Sequence, residues 1–291
     1  MSKTTSLSFD ARLNRVHDQI SPAELKVARY VQEYREEALI ASASLLAERI
    51  GTSDATVVRT AQALGFVGLK EMRQAVAADI RDNPSPATRM SRTLSEVGSD
   101  LDLAFGRTME IHESALADLR RDITPDRFRA AIELITTGKR IFIFGIGPSS
   151  AMAEYFSVQL ARFGFDTRAA TNTGLLLADD IRRLGKNDLL VLFAYGRIYR
   201  EVTVLLDQAA EVGAGTMLIS DSLGRKLRER VDLTLPVARG RTDMLSMHTA
   251  TLALIEAILV GVAAARPKET VASLQALNGI RAQLAGADMN L

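Results

Sequence analysis

Apolar positions in the first third of the chain follow the spacing of amphipathic helices. Ser21-Pro22 suits a helix start, because serine caps the first turn and proline is preorganised for the first helical position. Gly51 and Gly65 suit helix ends, since glycine readily adopts the left-handed conformation that closes a helix. The pattern predicts a first helix that begins at Pro22 and carries Leu25, Ala28 and Val31 at helical spacing, and three further helices over about residues 39–50, 53–64 and 68–82.

Asn83-Pro84-Ser85-Pro86 interrupts this pattern, because two prolines within three residues exclude a continuous helix. We therefore expect a linker there, followed by one long amphipathic helix over residues 88–120. Thr124-Pro125 predicts the start of a further helix, which ends at Gly138.

The pattern changes after Arg140, where short apolar runs alternate with helical stretches. Runs that are apolar on both faces and separated by helices indicate a parallel sheet that is covered on both sides. The predicted strands are 141–144, 167–170, 189–193, 216–219 and 233–237. The predicted helices are 150–163, 175–184, 200–212, 223–230, 243–264 and 269–284.

These elements predict two domains, an all-α helix-turn-helix bundle and a three-layer α/β domain with a mainly parallel five-stranded sheet. The expected boundaries are 1–82 for the bundle, 83–100 for the linker and the start of the long helix, and 101–291 for the α/β domain.

Composition narrows the possible classes of protein. The chain has no cysteine, which excludes disulfides and thiolate metal sites, and its three histidines are not spaced as zinc ligands. We therefore expect no metal and no cofactor.

The N-terminus lacks the apolar core of a secretory signal, and the apolar stretch 252–265 carries Glu256 and is too short for a membrane span. A cytoplasmic protein is expected. The net charge of +1 gives no bulk argument for nucleic acid.

The segment 45–66 has the order that a helix-turn-helix requires: helix, glycine turn, capped helix, glycine. Leu46, Ile50, Val57 and Leu64 are predicted to fill the contact between its two helices. The residues predicted to face outward and bind double-stranded DNA are Ser53, Asp54, Thr56, Arg59 and Thr60, with Lys70 and Arg73 contacting the phosphate backbone. An ordinary helical bundle remains the alternative at this point.

The second informative segment is Gly145-Ile146-Gly147-Pro148-Ser149-Ser150, called the first loop here, which follows an apolar strand and precedes a helix. Its glycines allow a tight turn, and the helix N-terminus together with Ser149 and Ser150 offers donors to an anion. A dinucleotide fingerprint requires a third glycine where Ser150 stands, and a P-loop requires Gly-Lys-Ser/Thr. The sequence therefore predicts an effector site that includes Gly145, Gly147, Ser149 and Ser150, with a plain tight turn as the alternative.

Taken together, these segments resemble the RpiR family of bacterial regulators, which join a helix-turn-helix domain to a sugar isomerase (SIS) domain. The resemblance covers roughly residues 10–265 and rests on the segments 21–31, 45–73, 139–150 and 232–261. It implies operator DNA, a sugar-phosphate effector, and homodimers or homotetramers formed through the SIS domains.

The chain departs from this family in the segment 194–200, called the second loop here. SIS sites usually carry Ser-x-Ser-Gly-x-Thr at this point, whereas this chain has Ala194-Tyr195-Gly196-Arg197-Ile198-Tyr199-Arg200. Ala194, Tyr195, Gly196, Arg197 and Arg200 are retained as predicted effector residues. Two outcomes remain open: the arginines clamp a phosphate or carboxylate, or the pocket has changed its ligand class or been filled by Tyr195 and Tyr199.

The first hypothesis is a non-enzymatic regulator that senses a small anionic metabolite, such as a sugar phosphate or sugar acid, and thereby modulates operator binding. The second is a sugar-phosphate aldose–ketose isomerase, for which Glu154, Glu201 and His248 are the candidate bases. The third is a regulator whose SIS pocket no longer binds a ligand.

Overall fold

The computed structural model describes residues 9–17, 19–82, 85–241 and 243–285, which form two compact units. Residues 1–89 belong to the helical unit, and residues 90–291 belong to the α/β unit.

The helical unit is built from short amphipathic helices around a single apolar core. Ser21 begins the second helix as expected: its hydroxyl accepts a hydrogen bond from the Glu24 amide, and the Glu24 carboxylate accepts one from the Ser21 amide. The helices are α1 (Phe9–Val16), α2 (Pro22–Glu33), α3 (Arg35–Ile40), α4 (Ala43–Ile50), α5 (Asp54–Ala63) and α6 (Leu69–Asp82).

Two features of this unit differ from the sequence prediction. The stretch 39–50 is not one helix, because the chain is extended at Ala41 and Ser42 caps a new helix at the Leu45 amide. Helix α1 was not predicted; its Phe9 and Leu13 are buried in the core, and Phe9 stacks on Phe66 at 6.4 Å.

The region between the two predicted domains is also more helical than expected. Residues 83 and 84 of the expected linker lie outside the described residues, and α7 (Pro86–Val97) begins almost immediately after them. The single helix expected over 88–120 is wrong. Gly98, with φ of +59°, ends α7, and Asp100 caps α8 (Leu101–Asp122) at the Leu103 amide. Helix α9 (Pro125–Thr137) follows, capped by Thr124 as predicted.

The α/β unit contains a five-stranded sheet in the order β2-β1-β3-β4-β5, and every adjacent pair is parallel. The strands are β1 (Ile141–Phe144), β2 (Thr167–Ala170), β3 (Leu189–Phe193), β4 (Gly215–Ser220) and β5 (Leu233–Pro236). The other helices are α10 (Pro148–Arg162), α11 (Leu177–Ile181), α12 (Arg200–Val212), α13 (Thr249–Ala265) and α14 (Pro267–Ala285), with a 3₁₀ turn over Gly174–Leu176.

Two apolar layers sandwich this sheet, which confirms the three-layer prediction. Residues of α9, α10 and α13 pack on one face, whereas residues of α11 and α12 pack on the other. The chain leaves β1 toward β2 and leaves β3 toward β4, so the connections from neighbouring strands run to opposite sides. In such sheets the crevice between the carboxyl ends of those two strands is where ligands bind.

Three helix predictions in this unit need correction. Residues 223–230 form turns instead of a helix, because Gly224 packs so closely on β5 that a Cβ there would lie 2.8 Å from the Thr234 methyl carbon. The last core helix begins at Thr249 rather than near residue 243. The stretch 175–184 becomes a 3₁₀ turn followed by the short helix α11.

Within the described residues, no single helix is long and apolar enough to cross a membrane. The pair α13 and α14 passes on length and composition when taken together, but the two helices are bent by 107° relative to each other.

Candidate functional site

The helix-turn-helix geometry in the helical unit starts from the turn between α4 and α5. Gly51 has φ of +70° and ends α4, while the Ser53 hydroxyl accepts a hydrogen bond from the Thr56 amide at 3.2 Å and caps α5. The apolar side chains predicted to hold the two helices together are all buried, namely Leu46, Ile50, Val57 and Leu64.

Two of the outward-facing predictions on α5 are wrong. Thr56 is 6% exposed and Thr60 is 0% exposed. They lie beside Val57 and Ala61 on the helix and share its buried side. The Thr60 hydroxyl donates to the Thr56 carbonyl at 2.8 Å, and the Thr56 hydroxyl lies 2.9 Å from that of Ser53, so neither threonine presents a free hydroxyl to a duplex.

The exposed face of α5 carries the remaining predicted residues, Ser53, Asp54 and Arg59. Arg59 donates to the Thr56 hydroxyl at 3.2 Å, whereas Asp54 accepts from the Ser44 hydroxyl at 2.6 Å and is thereby tied to α4. Three further residues lie on this face but were not predicted to do so: Ala55, Val58 and Gln62. Helical periodicity identifies them, because they lie opposite the buried Val57–Ala61–Leu64 side.

The two residues of α6 that were predicted to contact phosphate lie in different surroundings. Lys70 is exposed at the start of the helix. Arg73, by contrast, donates to the carbonyls of Ala38 and Ala41 at the end of α3, so its guanidinium already serves a structural role. Lys26 of α2 was not predicted to lie near this surface, yet its ammonium lies 3.5 Å from the Cβ position of Gly51, beside the turn.

The first loop of the α/β unit makes a close turn at the carboxyl end of β1. A Cβ on Gly145 would lie 2.3 Å from the Ser149 carbonyl oxygen, so only glycine fits there. Gly147 has φ of +57° and stands just before the first residue of α10. The Ser150 hydroxyl donates to the Gly147 carbonyl, whereas the buried Ser149 hydroxyl has no hydrogen-bond partner among the described residues. The Ser149 and Ser150 amides already donate to the Ile146 and Gly147 carbonyls, and Pro148 has no amide hydrogen. The loop therefore offers an anion the Ser149 hydroxyl and the positive end of the dipole of a 15-residue helix.

The second loop follows β3, which neighbours β1, so the two loops lie at the same edge of the sheet. Ala194 and Tyr195 are buried, and Tyr195 points into the core, where its hydroxyl lies 3.1 Å from that of Thr251. Burial raises the pKa of Tyr195 well above its usual range, so it stays protonated. Arg197 and Arg200 are exposed, and the Arg197 guanidinium lies 4.7 Å from the centre of the Tyr199 ring.

Residues that the sequence analysis did not assign surround the second loop from β4 and β5. Asp221 follows β4, and its carboxylate accepts a hydrogen bond from the Gly196 amide at 3.1 Å. Arg239 follows β5, pairs with Asp221 at 3.2 Å, and lies 4.2 Å from the centre of the Tyr195 ring. Asp221 lies 25 positions after Gly196 and 18 positions before Arg239 along the chain, and only the strand order brings the three residues together.

The candidate isomerase bases are differently placed. Glu154 is exposed on α10, and Glu201 accepts from the Gly174 amide at 3.3 Å. His248 packs edge-on against Tyr195, with 5.6 Å between the ring centres. Burial, with a smaller contribution from the charge of Arg239, lowers the pKa of His248 to about 4, so its imidazole is neutral at pH 7. Among the described residues, no group of three His, Asp or Glu side chains is arranged to hold a metal ion.

Two family models match the chain, one in each unit. The rpiR-family helix-turn-helix domain matches residues 8–83, and the SIS domain matches residues 134–261. The chain belongs to the RpiR family. It is therefore an RpiR-type regulator with a SIS domain, and the resemblance noted in the sequence is confirmed.

Three relatives place this RpiR protein among known chains. The uncharacterized HTH-type transcriptional regulator YfhH of Escherichia coli is 24% identical over 75% of this chain and 77% of its own. The bifunctional protein glk of Burkholderia mallei is 26% identical over 85% of this chain, which spans 37% of that longer protein. The structure of Vibrio vulnificus NanR, complexed with ManNAc-6P, covers 97% of this chain and all of its own, with 20% identity and a TM-score of 0.56. That likeness shows a common fold.

Proposed function

We propose that this RpiR regulator enters the major groove of its operator with the exposed face of α5. The main support is the arrangement of Ser53, Asp54 and Arg59 on that face, beside a helix start that offers backbone amides to phosphate. Lys26 and Lys70, on the flanking helices, contact the DNA backbone in this proposal. Arg73 does not.

The test is the affinity of the full-length protein for its own upstream DNA, measured by fluorescence anisotropy at a fixed salt concentration. Removing one base contact costs about 1–3 kcal/mol, so Arg59→Ala should weaken binding by about fivefold or more. Arg228→Ala removes the same charge from an exposed turn of the α/β unit and should change affinity by less than about twofold. Equal affinities for Arg59→Ala and the parent would refute the proposed reading face.

The α/β unit, in this proposal, binds a small anionic metabolite between the first and second loops. The unpartnered Ser149 hydroxyl, the start of α10, and the exposed Arg197 and Arg200 support an anion as the ligand. NanR holds a sugar phosphate, so ManNAc-6P is the first probe in a thermal-shift screen with other sugar phosphates and sugar acids. A ligand that binds only the native state raises the melting temperature, and a flat screen would favour a closed pocket.

We also propose that this site senses rather than catalyses. Glu154 faces solvent, Glu201 accepts a hydrogen bond from the Gly174 amide, and burial lowers the pKa of His248 to about 4, which makes its imidazole a weak base. None of these three groups is therefore a well-placed base for proton transfer between adjacent sugar carbons. NMR of pentose and hexose phosphates incubated with the protein should show no aldose–ketose exchange, and measurable turnover would restore the isomerase alternative.

Oligomerisation completes the proposal, since two reading helices must match half-sites about one DNA turn apart. Helices α7 and α8 expose Leu94, Leu101 and Phe105, with 53%, 83% and 69% of their surface accessible, which suits a further apolar contact. We propose a cytoplasmic homodimer or homotetramer, and light scattering coupled to size-exclusion chromatography would identify a monomer instead.

A further inference from the structure

Asp221 fills the position at the second loop where an anionic ligand would be expected to bind. Its Oδ1 accepts hydrogen bonds from the Gly196 amide at 3.1 Å, from the Ser222 amide at 2.6 Å and from the Ser222 hydroxyl at 2.9 Å. Its Oδ2 accepts from the Arg239 guanidinium at 3.2 Å. Backbone amides, a hydroxyl and an arginine are the donors that proteins use for a phosphate oxygen.

Arg239 is fixed in this arrangement from its other side. Its guanidinium lies 4.2 Å from the centre of the Tyr195 ring, and its side chain is 16% exposed. The charge of Arg239 is therefore already balanced by Asp221. A second anion at this place would meet a carboxylate, and the Gly196 and Ser222 amides would already be occupied.

The Asp221 side chain is 26% exposed, so water screens part of the repulsion without removing it. Neutral hydroxyl groups face no such penalty, because a carboxylate accepts hydrogen bonds from them. The first loop, in contrast, has no acidic side chain between Gly145 and Ser150. The first loop and the Gly196 amide of the second loop therefore differ in the charge of the ligand group that they favour, whereas Arg197 and Arg200, farther along the second loop, remain exposed.

We infer that Asp221 is a specificity-determining residue that keeps dianionic groups off the Gly196 amide of the second loop. The effector's anionic group then binds at the first loop, and its neutral hydroxyls lie toward Asp221. This inference rests on the proposed function, because it presupposes an effector between the two loops.

The test is calorimetric titration of the full-length protein with inorganic phosphate and, separately, with ManNAc-6P. Asp221→Asn removes the charge and keeps an oxygen that can accept from the Gly196 amide. It should bind both probes roughly three- to tenfold more tightly than the parent, as expected for removing one partly screened charge. N-acetylmannosamine, which lacks the phosphate, should gain nothing.

Asp207→Asn is the matched control, because Asp207 forms a comparable arginine pair with Arg230 on the exposed surface of α12. It should titrate like the parent. Asp221→Ser is a second variant with a smaller, neutral acceptor, and circular dichroism establishes that each variant is folded. Should Asp221→Asn fold poorly, the same gain is required of Asp221→Ser.

The inference is overturned if the folded Asp221 variants bind phosphate no better than the parent, if no protein binds either probe, or if Asp207→Asn gains equally. Operator binding by the parent and by Arg59→Ala is measured on the same samples. If the phosphate result fails but operator binding still depends on Arg59, only the inference about Asp221 is refuted and the regulator function stands. If operator binding does not depend on Arg59, that result counts against the proposed regulator function alone.

Discussion

Gly145 is the position in the first loop where an added side chain is tolerated least. Gly145→Ala therefore tests whether the loop requires the close packing of residue 145 against the backbone of Ser149. The added Cβ would lie 2.3 Å from the Ser149 carbonyl oxygen and 2.8 Å from its carbonyl carbon. Comfortable contacts between such atoms are about 3.5 Å, so the first turn of α10 has to move by roughly 1 Å. Because both neighbours are backbone atoms, no side-chain rotation relieves the contact.

Overpacking of this kind typically costs about 1–3 kcal/mol. For a unit of this size, that predicts a melting temperature lower by about 3–10 °C. The same displacement moves Ser149 and the helix start away from a bound anion, so the thermal response to an effector should be lost as well. Differential scanning fluorimetry with and without ManNAc-6P measures both effects.

Gly106→Ala is the control, because a Cβ at this position in α8 has no atom within 4 Å. Alanine in place of a helical glycine stabilises by up to about 1 kcal/mol, so the control should melt at or above the parent temperature. The interpretation of the first loop would be refuted by a Gly145→Ala variant with the parent's melting temperature and the parent's ligand response.

Three further predictions concern the core, a titrating group and the reading helix. Asp188, whose side chain is 0% exposed, accepts hydrogen bonds from Arg140 Nη2 at 2.6 Å and from the Gly185 amide at 2.7 Å. Asp188→Asn should therefore lower the free energy of unfolding in urea by about 3–5 kcal/mol, and a decrease of less than about 1 kcal/mol would contradict this. Burial lowers the pKa of His248 from 6.5 to about 4, so protonation of this residue favours the unfolded chain. After allowance for partial exposure, the parent should lose about 1–2 kcal/mol of unfolding free energy as the pH falls from 6.5 to 4. Unfolding curves of His248→Gln over the same pH range should not show this loss. Thr60→Val should leave operator affinity within about twofold, since Thr60 is buried; a large loss in anisotropy titrations would place its hydroxyl on DNA.

The strands were predictable because burial on both faces leaves continuous apolar runs. The predicted bounds of β1, β2 and β3 match the structure to the residue. The segment 223–230 was not predictable in the same way. Leu223 and Leu227 have helical spacing and are both buried, yet the close packing of Gly224 on β5 leaves them in turns. A tertiary contact decided this segment, and no local pattern records it.

In the candidate sites, too, the features that depend on neighbouring residues were predictable, whereas those that depend on tertiary contacts were not. The capped turn between α4 and α5 and the glycine turn of the first loop depend on neighbouring residues, and the sequence predicted both. The error at Thr56 and Thr60 arose from choosing outward residues by chemical type. The buried Val57 and Ala61 fix which side of α5 packs inward, and both threonines lie next to them. Asp221 and Arg239 could not be found locally, since they reach the second loop from separate strands.

The altered second loop and the Asp221–Arg239 pair are best understood as one arrangement. Where the family usually has hydroxyl side chains, this chain has Ala194, Gly196 and Tyr199, so the loop has fewer donors to surround a phosphate. Its Gly196 amide still requires an acceptor, because an unsatisfied backbone donor is costly. Asp221 supplies that acceptor permanently, and Arg239 balances its charge. A loop that satisfies its own backbone in this way remains folded without a ligand, and it therefore favours effectors whose negative charge lies elsewhere.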